Sequence, residues 1–309
     1  MLILPTQFPI ARYRFEFVVR EEMLLPAYSG STLRGIFGHA LRHVACMTRA
    51  PKCHGCPLLT TCPYSEIFET PVPNDGTFSK NQNVPQSYII EPPDIGERHF
   101  KEGDLFQFEM VLFGKALSRI ALINFAWQKA LERGIRSGGK AEFIDVKIQT
   151  ERGYESVLDG EYVIPHTQVL SLPKSVPTDL TIEFETPMRL QHKGRVLSPE
   201  TMRSDLFLMQ LLRRFSWMSE VHFGKTLAFN YSKLKQLASK IEQQADLRWY
   251  DWTRYSNRQQ QKMHLGGVLG QWVFLDIPPI FSQLLYLGQW LHAGKNTTFG
   301  LGKYRIINK

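Results

Sequence analysis

Arg12-Tyr13-Arg14-Phe15-Glu16-Phe17-Val18-Val19 puts Tyr13, Phe15, Phe17 and Val19 on one side of an extended chain and Arg12, Arg14, Glu16 and Val18 on the other. That period of two is the mark of a strand with one face buried. After the break at Leu24-Leu25-Pro26, Ser31 or Thr32 is placed to cap a helix with the apolar face Leu33, Ile36, Phe37, Ala40, Leu41 and Val44. The Pro-, Asn- and Asp-rich stretch 63–98 reads as a long loop with one short extended piece at 87–90. Another alternating strand follows at 105–112, then a helix at 118–133, a glycine-bearing turn at 134–139 and a strand at 142–149.

The order then recurs. Leu180, Ile182 and Phe184 alternate with Thr181, Glu183 and Glu185, and a long helix is expected at 199–221. A polar helix at 232–247, a strand at 267–275, a helix at 279–291 and a last strand at 303–307 complete the second pass. Strand, helix, strands, helix, strand twice over predicts an α+β protein of two tandem ferredoxin-like domains. The expected domains are 1–174 and 175–309, divided where Pro173, Lys174 and Pro177 interrupt the periodic pattern.

Composition suits this, since 309 residues with 43% apolar content fill two modest cores. The N-terminal Met-Leu-Ile-Leu run is broken at Pro5, too short for a signal peptide, and no stretch approaches the roughly 20 apolar residues of a membrane span. The expectation is a cytoplasmic protein with no membrane partner. A formal charge of +8 favours an anionic partner, nucleic acid first among them, although charge alone does not specify one.

The four cysteines, Cys46, Cys53, Cys56 and Cys62, form the run C-x6-C-x2-C-x5-C. Such spacing suits a tetrathiolate site for a structural zinc ion. An iron–sulfur cluster uses the same ligand type and stays open as the alternative. Four thiolates leave no open coordination position, so the metal is read as structural rather than catalytic.

The segments LPAYSGSTLRGIFGHALRHVAC (25–46), CHGCPLLTTCPYSEIFETP (53–71), ETPMRL (185–190), WTRYSNRQQ (252–260) and LHAGKNTTFGLGKYRI (291–306) together resemble the sixth CRISPR-associated protein family, in a branch with a cysteine-rich N-terminal insertion. The family comprises the precursor-crRNA-processing endoribonucleases of the RAMP superfamily. The resemblance implies tandem RNA-recognition-motif-like domains and metal-independent cleavage of CRISPR repeat RNA to a 5′-hydroxyl and a 2′,3′-cyclic phosphate, with other CRISPR effector subunits as further partners. A crRNA-binding RAMP subunit that does not cut is the alternative on the same fold.

Such cleavage needs a base for the 2′-hydroxyl proton, an acid for the leaving oxygen and positive charge on the phosphorane. The family pattern of a tyrosine before the first helix, a histidine on it and a cation after it is met by Tyr28, His43 and Arg49, with arginine where lysine is usual. His39, one turn before His43, is the second candidate base; each histidine also reads as an ordinary helix-surface residue. RNA contacts are expected from Arg34 and Arg42 on the helix and from Arg254 and Arg258 in the aromatic run 249–258. Others are expected from Lys295, Thr297, Thr298 and Lys303 in the glycine-rich loop, which lacks Walker A spacing. Trp249 and Trp252 are expected in the core, and Arg213 and Arg214 as solvated charges.

Overall fold

The alternation at 12–19 becomes the strand Ile10–Val19, with Tyr13, Phe15, Phe17 and Val19 wholly buried. The computed structural model describes residues 4–73, 84–93, 95–135, 138–167, 169–256 and 261–307. Within it the chain divides into two units, Phe8–Leu170 with Val221–Lys225, and Met1–Gln7 with Ser171–Glu220 and Thr226–Lys309.

In the first unit the strands lie in the order Tyr88–Glu91, Leu105–Phe113, Ile10–Val19, Ala141–Thr150, Gly153–Ser156, with antiparallel neighbours. Phe15 stands directly opposite Phe108, and their rings stack at 5.5 Å. Helices α1 (Gly30–Ala45), α2 (Pro63–Phe68) and α3 (Ile120–Arg133) supply the apolar cover. Trp127 of α3 lies 4.4 Å from Phe108 and 4.7 Å from Phe37 of α1, so sheet and helices share one aromatic column.

Helix α1 begins earlier than expected. Ser29 is its N-cap, and the Leu33 N–H already donates to the Ser29 carbonyl at 2.9 Å, which places Ser31 and Thr32 inside the first turn. Helix α2 occupies a stretch read as loop: Pro63 sits at its start, where a missing N–H costs nothing, and Tyr64, Ile67 and Phe68 are buried.

The second unit repeats the permutation, with strands in the order Glu242–Tyr250, Gly267–Leu275, Leu180–Met188, Tyr304–Ile307. Its helices are α4 (Ser204–Phe223), α5 (Tyr231–Ala238) and α6 (Pro279–Leu291). Phe207 packs edge-on to Phe184 at 5.9 Å and lies 5.2 Å from Trp272. The helix expected at 232–247 is corrected here: α5 ends at Ala238, and 242–250 is a strand paired along its length with Gly267–Leu275. Each unit therefore has the strand order and helix placement of a ferredoxin-like fold. Among the described residues no helix is long and apolar enough to cross a membrane.

Two glycines of α1 are under opposite constraints. A Cβ on Gly38 would lie 2.3 Å from the Phe68 ring, whereas a Cβ on Gly35 meets nothing within 4 Å. Gly38→Ala should lower stability by about 1–3 kcal/mol through overpacking. Gly35→Ala should raise it by up to about 1 kcal/mol through helix propensity. Thermal unfolding of the two variants should show opposite shifts in Tm.

Candidate functional site

On α1, the buried Leu33, Phe37, Ala40 and Leu41 turn the opposite face outward, and Gly35, His39 and His43 follow one another there at intervals of four. Both histidines are exposed. Gly35 leaves the surface beside His39 bare, since a Cβ there would meet nothing within 4 Å. The glycine at this spacing was visible in SGSTLRG but did not enter the sequence reading.

Tyr28 sits elsewhere in character. It is 4% exposed, and burial, aided by the nearby Glu91 charge, lifts its phenol well above the usual range, so the hydroxyl stays protonated. Glu91 in turn is wholly buried and accepts from Arg12 Nε and Nη2 at 3.2 and 2.9 Å, while Arg12 Nη1 reaches Gln149 at 3.0 Å. Burial pushes the Arg12 guanidinium down, but Glu91, Tyr154 and Glu109 together outweigh it and hold the group above its ordinary value. This buried pair lies on the sheet face opposite the helices, by the alternation of Arg12 with Tyr13.

The basic residues of α1 are engaged within the fold. Arg34 lies 4.3 Å over the Phe68 ring, and Arg42 donates to the Ala50 carbonyl and lies 5.9 Å over Tyr64. Arg49 is exposed with φ of 52°, a left-handed position that turns the chain toward the cysteines.

All four thiols, with Arg42, Thr48 and Tyr64, line one cavity of about 10 Å³. Thr48 Oγ1 lies 3.9 Å from Cys46 Sγ and 3.6 Å from Cys56 Sγ. Among the described residues no three His, Cys, Asp or Glu side chains converge at ligating positions, so the thiols are neighbours around the cavity and not a formed ligand set. Burial pushes the Cys46 thiol up, but Thr48, the Arg49 backbone and Arg42 outweigh it and hold it below the ordinary value; Cys53 is pushed up by burial and by Glu69.

In the second unit the glycine-rich loop is built on the end of the Leu180–Met188 strand. His292, Gly294, Asn296, Gly300 and Gly302 all have positive φ. A Cβ on Gly302 would lie 1.8 Å from the Ala293 carbonyl oxygen. Thr186 ties the loop down: its hydroxyl donates to the Gly300 carbonyl at 2.7 Å and accepts from the Lys303 N–H at 2.8 Å. Lys295 is exposed, Thr298 half-buried and Thr297 buried, and Lys303 Nζ lies 3.5 Å from Glu185. Thr186 belongs to the ETPMRL segment, whose part in holding the loop only the fold reveals.

Two expectations fall differently, and a third lies outside what the structure describes. Trp249 is 42% exposed on an edge strand. Arg214 is not a solvated charge: its Nε donates to the Leu291 carbonyl at 2.7 Å, and burial lowers the guanidinium to about 10. Arg258 lies outside the described residues, as does the side chain of Arg254, whose backbone is in the strand Thr253–Ser256.

Against known proteins, residues 8–169, just over half of the chain, match the AF_1859_N family, described as an N-terminal domain. Residues 182–304 match the CRISPR-associated endoribonuclease Cas6 family. The chain belongs to the family defined by that N-terminal domain, and its residues 182–304 are similar to the Cas6 endoribonuclease family. No curated protein matches it. Among solved structures, a Cas6 product complex is similar at a TM-score of 0.59 and 15% identity, covering 96% of this chain and 99% of the other. Thermus thermophilus Cas6 is similar at 0.53 and 14%, covering 98% and 100%. A partial Cas6-RT-Cas1–Cas2 complex is similar at 0.59 and 15% over 100% of this chain, which spans 47% of that longer one. At these identities the likeness is one of fold.

Thr186→Val keeps the shape of the side chain and strands the Gly300 carbonyl and Lys303 N–H. It should cost about 1–3 kcal/mol. Hydrogen exchange at the Lys303 amide should quicken in parallel, and unchanged protection there would remove Thr186 as the anchor of the loop.

Proposed function

We propose that the protein is an endoribonuclease that cuts CRISPR repeat RNA in precursor crRNA, using the RNA's own 2′-hydroxyl as nucleophile and leaving a 5′-hydroxyl and a 2′,3′-cyclic phosphate. The observation that carries this reading is the similarity of residues 182–304 to the Cas6 endoribonuclease family. The exposed histidines of α1 support the chemistry, because imidazole is the side chain best suited to take up a proton at neutral pH.

In this reading His43 removes the 2′-hydroxyl proton, with His39 as the second candidate. Arg49 supplies charge to the phosphorane, since a guanidinium clamps phosphate but does not exchange protons. Tyr28, buried and protonated, serves by position rather than as a base. Lys295 takes the phosphate contact of the glycine-rich loop, with Lys303 sharing its charge with Glu185; Arg34 and Arg42 hold the fold around α1 before they hold RNA. No step requires a metal. A neighbour of this fold belongs to a Cas6-RT-Cas1–Cas2 complex, which supports other CRISPR proteins as partners.

Labelled repeat RNA with the purified protein in EDTA should give products ending in a cyclic phosphate. His43→Ala should slow cleavage by on the order of 10² or more with little change in RNA affinity. Activity within about threefold of wild type moves the role to His39 or elsewhere. Failure of the unaltered protein to cut while it binds tightly leaves the non-catalytic crRNA-binding subunit.

We infer further that the cysteines hold one structural metal ion. The four thiols line one cavity, and four thiolates are the donor set that zinc takes on a tetrahedron, with an iron–sulfur cluster as the alternative on the same ligands. Elemental analysis should find about one zinc per chain, and Cys56→Ser should lower Tm while the cleavage rate at low temperature is kept. Metal-free protein of full stability with four titratable thiols sinks this assignment.

A further inference from the structure

Away from the residues considered so far, the first unit has an open cleft of about 810 Å³ lined by α3, the Ala141–Thr150 strand and the turn around Gly160. Three exposed apolar side chains meet there, Phe125, Ile144 and Tyr162, at 46, 48 and 79% exposure. Clustered apolar surface of this kind marks contact sites, and aromatic residues are the side chains that such contacts favour. Asn124, on the same wall, is 3% exposed, yet its carboxamide makes no hydrogen bond among the described residues and Oδ1 is enclosed without a partner. A buried amide left unpaired is destabilising unless a bound group completes it.

The charges of the cleft choose the class of that group. Arg20 is paired with Glu142, Lys140 with Glu21, and Glu132 with Lys129. Glu161, on the lining, has no ion pair among the described residues. The lining thus carries two cations against three carboxylates in a chain of net charge +8, the reverse of what a nucleic-acid path requires.

We propose that this cleft docks a segment of a partner protein that presents a large apolar side chain next to an arginine or lysine. The apolar group seats against Phe125, Ile144 and Tyr162, the charge of the cation faces Glu161, and the Asn124 carboxamide turns toward the cleft so that its Oδ1, enclosed in the free protein, accepts an N–H of that cation. The assignment does not depend on RNA cleavage by the protein.

The test uses the full chain and three probes: a fluorescein-labelled, end-capped peptide alternating leucine and arginine, the matched peptide with glutamate for arginine, and oligoadenylate. The arginine peptide should bind, and the glutamate peptide should bind at least about tenfold more weakly, against the trend that net charge alone would set. Tyr162→Ala, on the surface and harmless to folding, and Glu161→Lys should each weaken the arginine peptide about tenfold or more, the loss expected of a central anchor. Asn124→Leu should raise Tm, by removing an unpaired amide, while it weakens peptide binding. The proposal is overturned if the arginine peptide does not bind, or if both peptides bind alike and ignore Tyr162→Ala. Loss of oligoadenylate binding on Tyr162→Ala assigns the cleft to RNA instead, and a lower Tm for Asn124→Leu with peptide binding intact makes Asn124 a structural residue.

Discussion

The ring of Trp127 lies between Phe108 of the sheet and Phe37 of α1, and this column sets the rotation of α1 about its own axis. Buried aromatic contacts of this size contribute both area and geometry, so turning α1 by one residue would pull Phe37 out of the column and push polar side chains into it. Because the rotation is fixed from inside, the outward face is fixed as well, and Gly35, His39 and His43 share it. Gly38 adds a second constraint from the other side by letting Phe68 approach the helix backbone. The exposed histidines are in this sense a product of core packing.

The opposite face of the same sheet is polar but not uniformly wet. Arg12 and Glu91 are buried together, Arg14 pairs with Glu109 at 2.8 Å and lies 3.8 Å over the Tyr154 ring, and Lys147 reaches Glu16 at 2.7 Å. Buried ion pairs bring little net stability relative to apolar replacements, but removing one partner leaves a charge that the surroundings cannot accommodate. Arg14–Glu109 and Lys147–Glu16 join neighbouring strands, Arg12–Glu91 reaches across the Leu105–Phe113 strand that lies between its two, and a strand shifted by one residue would separate them. They act on register more than on depth of folding.

Much of this was legible in the sequence because the informative residues repeat at the period of their element. The strand at 13–19, the strand at 267–275 and the helix at 279–291 could be read from the sequence. The segment 242–250 could not: as an edge strand it is solvated on nearly every residue, so Glu242, Gln243, Gln244 and Asp246 show no alternation, and only pairing with 267–275 makes it a strand. Helix α2 was hidden by its brevity and by the prolines around it. At the candidate site the histidines of α1 and the glycine-rich loop were visible as motifs. The burial of Tyr28, the pairing of Lys303 with Glu185 and the engagement of Arg214 with the Leu291 carbonyl depend on residues distant in sequence. No local pattern carries that information.

The loop that bears Lys295 holds five residues in the left-handed region, each set by a carbonyl, a hydroxyl or a tight turn nearby. A backbone already confined in this way has little conformational entropy left to surrender when an anion arrives. If Lys295 takes an RNA phosphate as proposed, association there would be governed by encounter and by the long-range field of the chain, and ionic strength would act on how fast a complex forms before it acts on how long it lasts. The same confinement makes the loop intolerant of a change in length, since one added residue would shift every left-handed position onto a side chain that resists it.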